Sequence, residues 1–214
     1  MTDPQAIEEF EEPDGQPDDF DLIALSNTRV GFRVAGYGLL AVLCSIPWSG
    51  VYAIDLTLTG LRIVGWILIA AGIAMMAPTP NGPLPRWMQA IYIFLCSLAA
   101  LRMVARGFDW LAPIVELEQR VVPVLWIAFL ALPWILWRFC QYRGLTGRAL
   151  TWLWSAVLLV AVFGLHWRVQ SNWLMWAYPP LGVLLFVLSK QTARDLWLDA
   201  VNRRSKAVIR AQRA

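Results

Sequence analysis

The chain of 214 residues is 58% hydrophobic and only 15% charged, whereas soluble domains carry about a quarter charged residues. Nine of its 15 acidic residues lie within residues 1–30, and seven of its 18 basic residues lie within residues 190–214. Between these ends the chain holds apolar runs close to the roughly 20 residues that cross a bilayer. An ordinary water-soluble fold is excluded, and the sequence predicts an all-α, polytopic membrane protein.

Residues 1–30 form an acidic segment with EEFEEPDGQPDDFD at its centre. Dense like charge, proline and glycine disfavour collapse, so we predict a disordered cytoplasmic tail. A basic stretch followed by an apolar core is missing, so no cleavable signal is predicted. One interpretation is a solubilising tail. The alternative is that its few apolar residues anchor a protein partner.

Six apolar runs within residues 31–189 predict a domain of six transmembrane helices. The runs lie near residues 34–54, 61–77, 87–104, 121–137, 149–167 and 173–189. Proline fixes φ and lacks a donor, so PTPNGPLP between the second and third runs predicts a tight turn. Residues 106–120 mix apolar and charged side chains, which predicts an interfacial segment lying on the bilayer. Because the second run is short, five or seven spans are the alternatives.

Residues 190–214 continue the sixth run, and their apolar residues recur near helical spacing among basic ones: Trp197, Leu198, Val201, Val208 and Ile209. This pattern predicts a basic amphipathic helix that binds anionic lipid of the inner leaflet, with pairing to the acidic tail as the alternative. The candidate headgroup-binding residues are Arg203, Arg204, Lys206 and Arg210. Nucleic acid is not a predicted partner, because the basic excess lies beside the membrane.

The distribution of lysine and arginine predicts the orientation. With six spans and a cytoplasmic N-terminus, thirteen basic residues lie on the cytoplasmic side and five on the outer side, as the positive-inside rule requires. Seven of the thirteen belong to residues 190–214, so the predicted orientation depends mainly on that segment. Both termini are therefore expected in the cytoplasm. Short loops favour a bacterial inner membrane, with membrane lipids as partners.

The chain also aligns with itself, without gaps, at an offset of 86 residues. The matched pairs are Pro47-Trp48 with Pro133-Trp134, Arg62 with Arg148, Trp66 with Trp152, Trp87 with Trp173, Tyr92 with Tyr178, and Leu95 with Leu181. Duplication of three spans predicts a 3+3 inverted repeat, an architecture common among transporters with binding sites at the repeat interface. The competing interpretation is that interfacial tryptophans recur at helix ends in any case.

Ionisable residues are nearly absent from the middle of the predicted spans, which argues against an ion-coupled pump. Proline in a helix withholds a hydrogen bond, so the Pro-Pro pair of the sixth run is expected to kink or unwind it. The candidate mid-membrane site consists of Tyr92, Tyr178, Pro179 and Pro180.

Charged residues and the single histidine gather on the predicted outer side. The candidate outer-rim site consists of Arg102, Arg106, Asp109, Glu116, His166 and Arg168. The alternative for this set is a group of surface ion pairs of little energetic value. One histidine, and cysteines without CxxC spacing, predict no metal, cofactor or disulfide framework. No catalytic residue is assigned.

Three functions remain open at this level. The leading hypothesis is a non-enzymatic scaffold, assembly or accessory subunit of a membrane complex, because the two tails carry opposite charge and the spans lack buried charges. The second is a small permease or transporter of a lipid-like or small hydrophobic solute, which the repeat favours. The third is an intramembrane enzyme acting at the outer rim.

Overall fold

The computed structural model describes residues 19–46, 52–78, 84–105, 112–169 and 172–211. This part of the chain is almost entirely helical and contains no strand, which confirms the all-α prediction. Its six α-helices are α1 Asp19–Ser45, α2 Tyr52–Met75, α3 Arg86–Ala105, α4 Ala112–Tyr142, α5 Thr146–Val169 and α6 Tyr178–Ala211. A 3₁₀ helix, Asn172–Ala177, leads into α6.

Four of these helices are long and apolar enough to cross a bilayer, as expected of an integral membrane protein. The four apolar segments are Arg86–Val104, Val124–Tyr142, Thr146–Val169 and Trp173–Asp199. A shorter apolar segment, Thr59–Met75, belongs to α2. The lateral faces carry many exposed large apolar side chains, which a bilayer would solvate and water would not.

Each helix packs on the next one in the chain, and α6 returns to pack on α1, so the six helices form a closed ring. The most extensive interfaces are those of α1 with α2 and with α6. Neighbouring helices run antiparallel, which gives the bundle two ends. We name them the Thr28 end, where Thr28 contacts Ala77, and the Ser45 end, where Ser45 contacts Arg62.

Glycines bring the backbones of α1 and α2 into direct contact. A Cβ on Gly31 would lie 2.5 Å from the carbonyl oxygen of Gly72, and a Cβ on Gly38 would lie 2.5 Å from the carbonyl oxygen of Gly65. Small residues permit such close packing between helices in membranes. The seven-residue spacing of glycine in both helices is a signal that our sequence analysis missed.

Aromatic side chains fill the centre of the ring. Phe32, Phe139 and Trp152 are each 0% exposed and come from α1, α4 and α5. The Phe32 ring centroid lies 5.6 Å from that of Phe139 and 6.5 Å from that of Trp152. Trp66 of α2 meets Phe129 of α4 edge-on, with centroids 5.4 Å apart. Aromatic side chains therefore pack inside the bundle both near the Thr28 end, around Phe32, and farther along, at Trp66.

Helix α1 begins at Asp19, before the predicted boundary between tail and membrane domain at residue 30, which stays a prediction. Thr28 is completely buried, and its hydroxyl accepts a hydrogen bond of 2.8 Å from the backbone N–H of Ala77. Packing against α2 thus orders a stretch that its acidic neighbours made look disordered. The prediction for residues 1–18 lies outside the described residues.

Helices α4 and α6 also begin at residues other than those that the sequence predicts. Residues 112–120, expected in an interfacial segment, belong to α4, while residues 106–111 lie outside the described residues. Helix α4 continues through Pro123 and Pro133, since neighbouring groups in membrane proteins can satisfy the freed carbonyls. Pro179 and Pro180 lie in the first turn of α6, where a missing N–H is tolerated, and the change of helix type precedes them.

The C-terminal segment continues α6 as a helix to Ala211, as predicted. Its first part belongs to the bundle, because Ala193 and Leu196 are buried. The guanidinium of Arg29 lies 4.8 Å from the ring centroid of Trp197, a cation–π contact between α1 and α6. The packing of α6 in the bundle therefore extends past residue 190, and the predicted domain boundary there stays a prediction.

Candidate functional site

A cavity of about 190 Å³ opens at the Ser45 end, between α1, α2, α3 and α4. Its lining residues are Val42, Ile46, Arg62, Trp66, Ala99, Arg102, Met103, Leu125 and Trp126. Two cationic side chains therefore share one space with an otherwise apolar wall. We name this space the arginine cavity.

Arg62 is positioned by the last turn of α1. Its Nε donates a hydrogen bond of 3.1 Å to Ser45 Oγ, and its Nη2 donates one of 2.7 Å to the Ser45 carbonyl oxygen. Ser45 Oγ in turn donates to the carbonyl oxygen of Val42 at 2.7 Å. The guanidinium thus satisfies carbonyl and hydroxyl groups at a helix end that would otherwise lack partners. These contacts also fix the side chain at the cavity wall.

Arg102 lies in the last turn of α3, where the helix dipole favours a cation. Arg62 belongs to α2, and Leu125 and Trp126 belong to α4. Helices α2, α3 and α4 thus contribute the wall of the arginine cavity beside the end of α1.

A second, much smaller void of about 10 Å³ lies deeper in the bundle. It is lined by apolar and aromatic side chains, among them Tyr92, Cys96 and Phe129. Trp66 and Leu125 line both spaces and so stand between them. The small void has room for about one water-sized probe, so it is too small for a solute.

The residues of the predicted outer rim are not gathered in one pocket within the described residues. Arg102 lines the arginine cavity, whereas the ring of His166 meets that of Tyr178 edge-on at 5.9 Å. Arg168 lies exposed in the last turn of α5. Arg106 and Asp109 lie outside the described residues, and Glu116 lies on α4 with its side chain outside them. A shared site for the full set stays a prediction.

The candidate mid-membrane residues also occupy different places. Tyr92 lines the small void between α2, α3 and α4, while the buried Tyr178 lies beside His166. Pro179 and Pro180 follow Tyr178 in the first turn of α6. The candidate headgroup residues lie on the C-terminal part of α6, with side chains outside the described residues: Arg203, Arg204, Lys206 and Arg210.

A polar cluster joins α5 to α6 at the Thr28 end. Arg148 forms an ion pair with Asp195 through Nε and Oδ2, and its Nη1 donates to Gln191 Oε1 at 2.7 Å. Trp152 Nε1 donates a hydrogen bond of 3.0 Å to Thr192 Oγ1. These contacts join the two helices, so the role of the cluster is structural. Among the described residues there is no cluster of three metal-ligating side chains.

Comparison of the chain with protein-family models, curated proteins and solved structures finds no match. The function therefore has to be inferred from the geometry of the chain itself.

Proposed function

We propose that this protein is a non-enzymatic component of a membrane complex, acting as a scaffold, assembly or accessory subunit. The closed core carries the proposal. Phe32, Phe139 and Trp152 pack together with no exposure, and the void beside Trp66, Tyr92 and Phe129 measures only about 10 Å³. A permease needs a path between the two sides of the membrane, and an enzyme needs a pocket that gathers its reacting groups.

The lateral surface supports the same proposal. Helix α5 buries only one narrow stripe, whose members are Ala149, Trp152, Ser155, Ala156 and Leu159. Its remaining faces carry large apolar side chains, including Trp154 and Trp167, which are 65% and 74% exposed. Such faces can be covered either by lipid or by the helices of a partner subunit. The acidic tail is the second proposed contact with a partner.

Purification of the full chain in mild detergent after in-membrane crosslinking tests the proposal. We expect one membrane protein to co-purify in a fixed molar ratio, and we expect deletion of residues 1–18 to reduce that ratio. A matched control carries residues 1–18 in scrambled order, which keeps the charge and removes the spacing of the apolar anchors. A full chain that purifies without any stoichiometric partner would contradict the proposal.

We also propose six spans with both termini in the cytoplasm of a bacterial inner membrane, which makes this a multi-pass protein. The antiparallel alternation of six helices supports this topology, as do the four segments of sufficient length. The basic residues of α6 beyond Asp199 lie on the side that the positive-inside rule assigns to the cytoplasm.

The 3+3 inverted repeat remains part of the proposal, and the register of buried faces supports it. The 86-residue offset aligns buried residues of α2 with buried residues of α5. These pairs are Trp66 with Trp152, Ile69 with Ser155, Ala70 with Ala156, and Ile73 with Leu159. The matched Trp87 and Trp173 are instead both exposed, at 62% and 72%. The packing of the two halves is nevertheless unequal. The repeat would make the α3–α4 interface correspond to the α6–α1 interface, but α6 packs closely on α1 while α3 contacts α4 far less.

This register favours a second candidate function, a small permease for a lipid-like solute. A cavity open at one end and closed at the centre is what one state of such a protein would have. Reconstitution into vesicles with a fluorescent short-chain lipid distinguishes the two candidates. Accelerated exchange of the lipid between leaflets would favour the permease. An exchange rate equal to that of protein-free vesicles would favour the scaffold function.

A further inference from the structure

We propose that the line of contact between α1 and α6, near the Thr28 end, binds the phosphate group of an anionic phospholipid. Four cations and three aromatic rings lie along it, and we name this surface the α1–α6 seam. Its members are Arg29, Arg33 and Tyr37 of α1, and Phe186, Lys190, Arg194 and Trp197 of α6. This site goes beyond the proposed scaffold function and does not depend on it.

The register of the two helices brings the exposed cations to one part of the surface. A Cβ on Gly36 would lie 2.7 Å from the Cβ of Ser189. Arg33 precedes Gly36 by almost one turn of α1, so in an antiparallel pair it lies level with the stretch of α6 between Lys190 and Arg194. All three cations are exposed. Their charges therefore form one patch on the lateral face of the bundle.

Two aromatic rings, one from each helix, position Lys190. Its ammonium nitrogen lies 4.7 Å from the ring centroid of Phe186 and 5.6 Å from that of Tyr37. The two rings pack against each other, with centroids 4.8 Å apart. The face of an aromatic ring attracts a cation without carrying a net charge. Lys190 is thus held over the seam, and its positive charge is not neutralised there.

Arg29 is held in a similar way. Its guanidinium lies 4.8 Å from the ring centroid of Trp197, and its buried Nε has no hydrogen-bond partner among the described residues. Guanidinium groups bind phosphate strongly, because their planar fork matches the phosphate oxygens. Since the ring already restricts the side chain, less conformational entropy is lost when an anion binds.

Carboxylates do not offset the positive charge of the seam within the described part of the chain. Asp195 of α6 forms an ion pair with Arg148, on the side of α6 that contacts α5. None of the four seam cations forms an ion pair with a described residue. Clustered positive charge without a nearby carboxylate attracts anions.

The apolar surroundings of the seam favour a lipid over a soluble anion. Large apolar side chains beside it are exposed, among them Val30, Val187 and Leu198. An anionic phospholipid offers a phosphate to the cations and acyl chains to these side chains. A soluble anion or the acidic residues 1–18 would satisfy the charge and leave most of the apolar surface uncovered.

The level of the seam in the bundle also suits a headgroup. Thr28, next to Arg29, contacts the backbone of Ala77 just beyond the end of α2, and the turn between α4 and α5 lies at the same end. Arg33 lies about 6 Å deeper than Arg29, at a rise of about 1.5 Å per residue. Long cationic side chains bridge such a distance by extending towards the headgroups.

Native mass spectrometry of the full chain in a neutral detergent tests the proposal. The probes are dimyristoyl phosphatidylglycerol and dimyristoyl phosphatidylcholine, each titrated alone. Each cation near an anionic lipid contributes roughly fivefold in affinity, so we expect phosphatidylglycerol to bind at least about tenfold more tightly. Equal affinity of the two lipids would overturn the proposal.

Paired variants locate the binding. We expect R33Q/K190Q to weaken phosphatidylglycerol binding at least about tenfold, whereas R33K/K190R, which keeps both charges, should bind as the wild type does. The matched control R86Q/R138Q removes two exposed arginines at the same end of the bundle and should leave binding unchanged. Equal binding by the wild type and R33Q/K190Q, or equal weakening by R33Q/K190Q and R86Q/R138Q, would show that the seam is not the site.

Two further variants test the other basic and acidic parts of the chain. Deletion of residues 1–18 should leave the preference for phosphatidylglycerol intact. If phosphatidylglycerol binds only after this deletion, the acidic segment occupies the seam and the proposal is wrong. R203Q/R204Q should also keep the preference. If this variant abolishes the preference and R33Q/K190Q does not, the lipid binds to the C-terminal part of α6 instead of the seam.

Discussion

The end of α2 is capped by side chains from two other helices. Gln89 Nε2 donates a hydrogen bond of 2.7 Å to the Met76 carbonyl oxygen and one of 3.4 Å to that of Ile73. Thr28 Oγ1 accepts from the Ala77 N–H at 2.8 Å. The last carbonyl groups of a helix have no partner of their own, and α2 has no glycine at this position to turn the chain. Hydrogen bonds from Thr28 of α1 and Gln89 of α3 cap the end of α2 instead.

At the scale of the residue, we predict that Gln89→Leu lowers the free energy of unfolding by about 1–3 kcal/mol, because a buried carbonyl loses its donor. The measurement is unfolding in dodecyl maltoside micelles with increasing SDS. Gln141→Leu is the control, since Gln141 is exposed and accepts a bond only from the exposed Arg138. Equal effects of the two variants would contradict the capping role of Gln89.

At the scale of the element, the α1–α2 interface depends on the absence of side chains at its glycines. A Cβ on Gly38 would lie 2.5 Å from the Gly65 carbonyl oxygen and 2.7 Å from Ile69, whereas a Cβ on Gly60 would have nothing within 4 Å. Gly38 and Gly60 therefore differ in whether the surrounding structure has room for a side chain. The first needs its hydrogen atom for packing, and the second carries only the entropic penalty of glycine in a helix.

The same substitution should therefore change stability in opposite directions at these two glycines. We predict that Gly38→Ala destabilises the protein by about 1–3 kcal/mol through steric conflict. Gly60→Ala should stabilise it by about 0.5–1 kcal/mol through helix propensity. Both are measured by the same unfolding assay in micelles. A loss of stability at Gly60 as large as that at Gly38 would show that the conflict with Gly65 is not the cause.

The α5–α6 interface, by contrast, relies on polar contacts, since these two helices share little other packing. Thr192→Val removes the acceptor of the buried Trp152 N–H while keeping the shape of the side chain. We predict a loss of about 1–2 kcal/mol. Thr151→Val is the control, because Thr151 is exposed and donates only to its own helix. The stability difference between the two variants is the quantity to measure.

At the scale of the whole molecule, six antiparallel helices place the two ends of the described chain at the same end of the bundle. We predict that cysteines introduced at Thr2 and Ala214 react with a membrane-impermeant maleimide only after cells are permeabilised. Replacing the three native cysteines by serine or alanine provides the background. Labelling of one terminus in intact cells would overturn the proposed topology.

The sequence alone was sufficient for the class of protein and for most of its helices. Apolar runs and the scarcity of charge reflect the solvent that surrounds a chain. Both can be recognised in short stretches of sequence without knowledge of the tertiary structure. The helix over residues 19–30 was not predicted, because the acidic composition masked it and the burial of Thr28 against α2 is a tertiary contact. The sequence analysis likewise missed the start of α4, where charged side chains precede the apolar segment without ending the helix.

Only the tertiary structure decided which polar residues meet. Ser45 and Arg62, or Arg148 and Asp195, are far apart in the chain, and no periodicity relates them. Their contacts follow from how close α1 approaches α2 and how α5 lies on α6, which depends on side-chain volume at the interfaces. The arginine cavity arises for the same reason, because a space between four helices is a property of their packing and of no single segment.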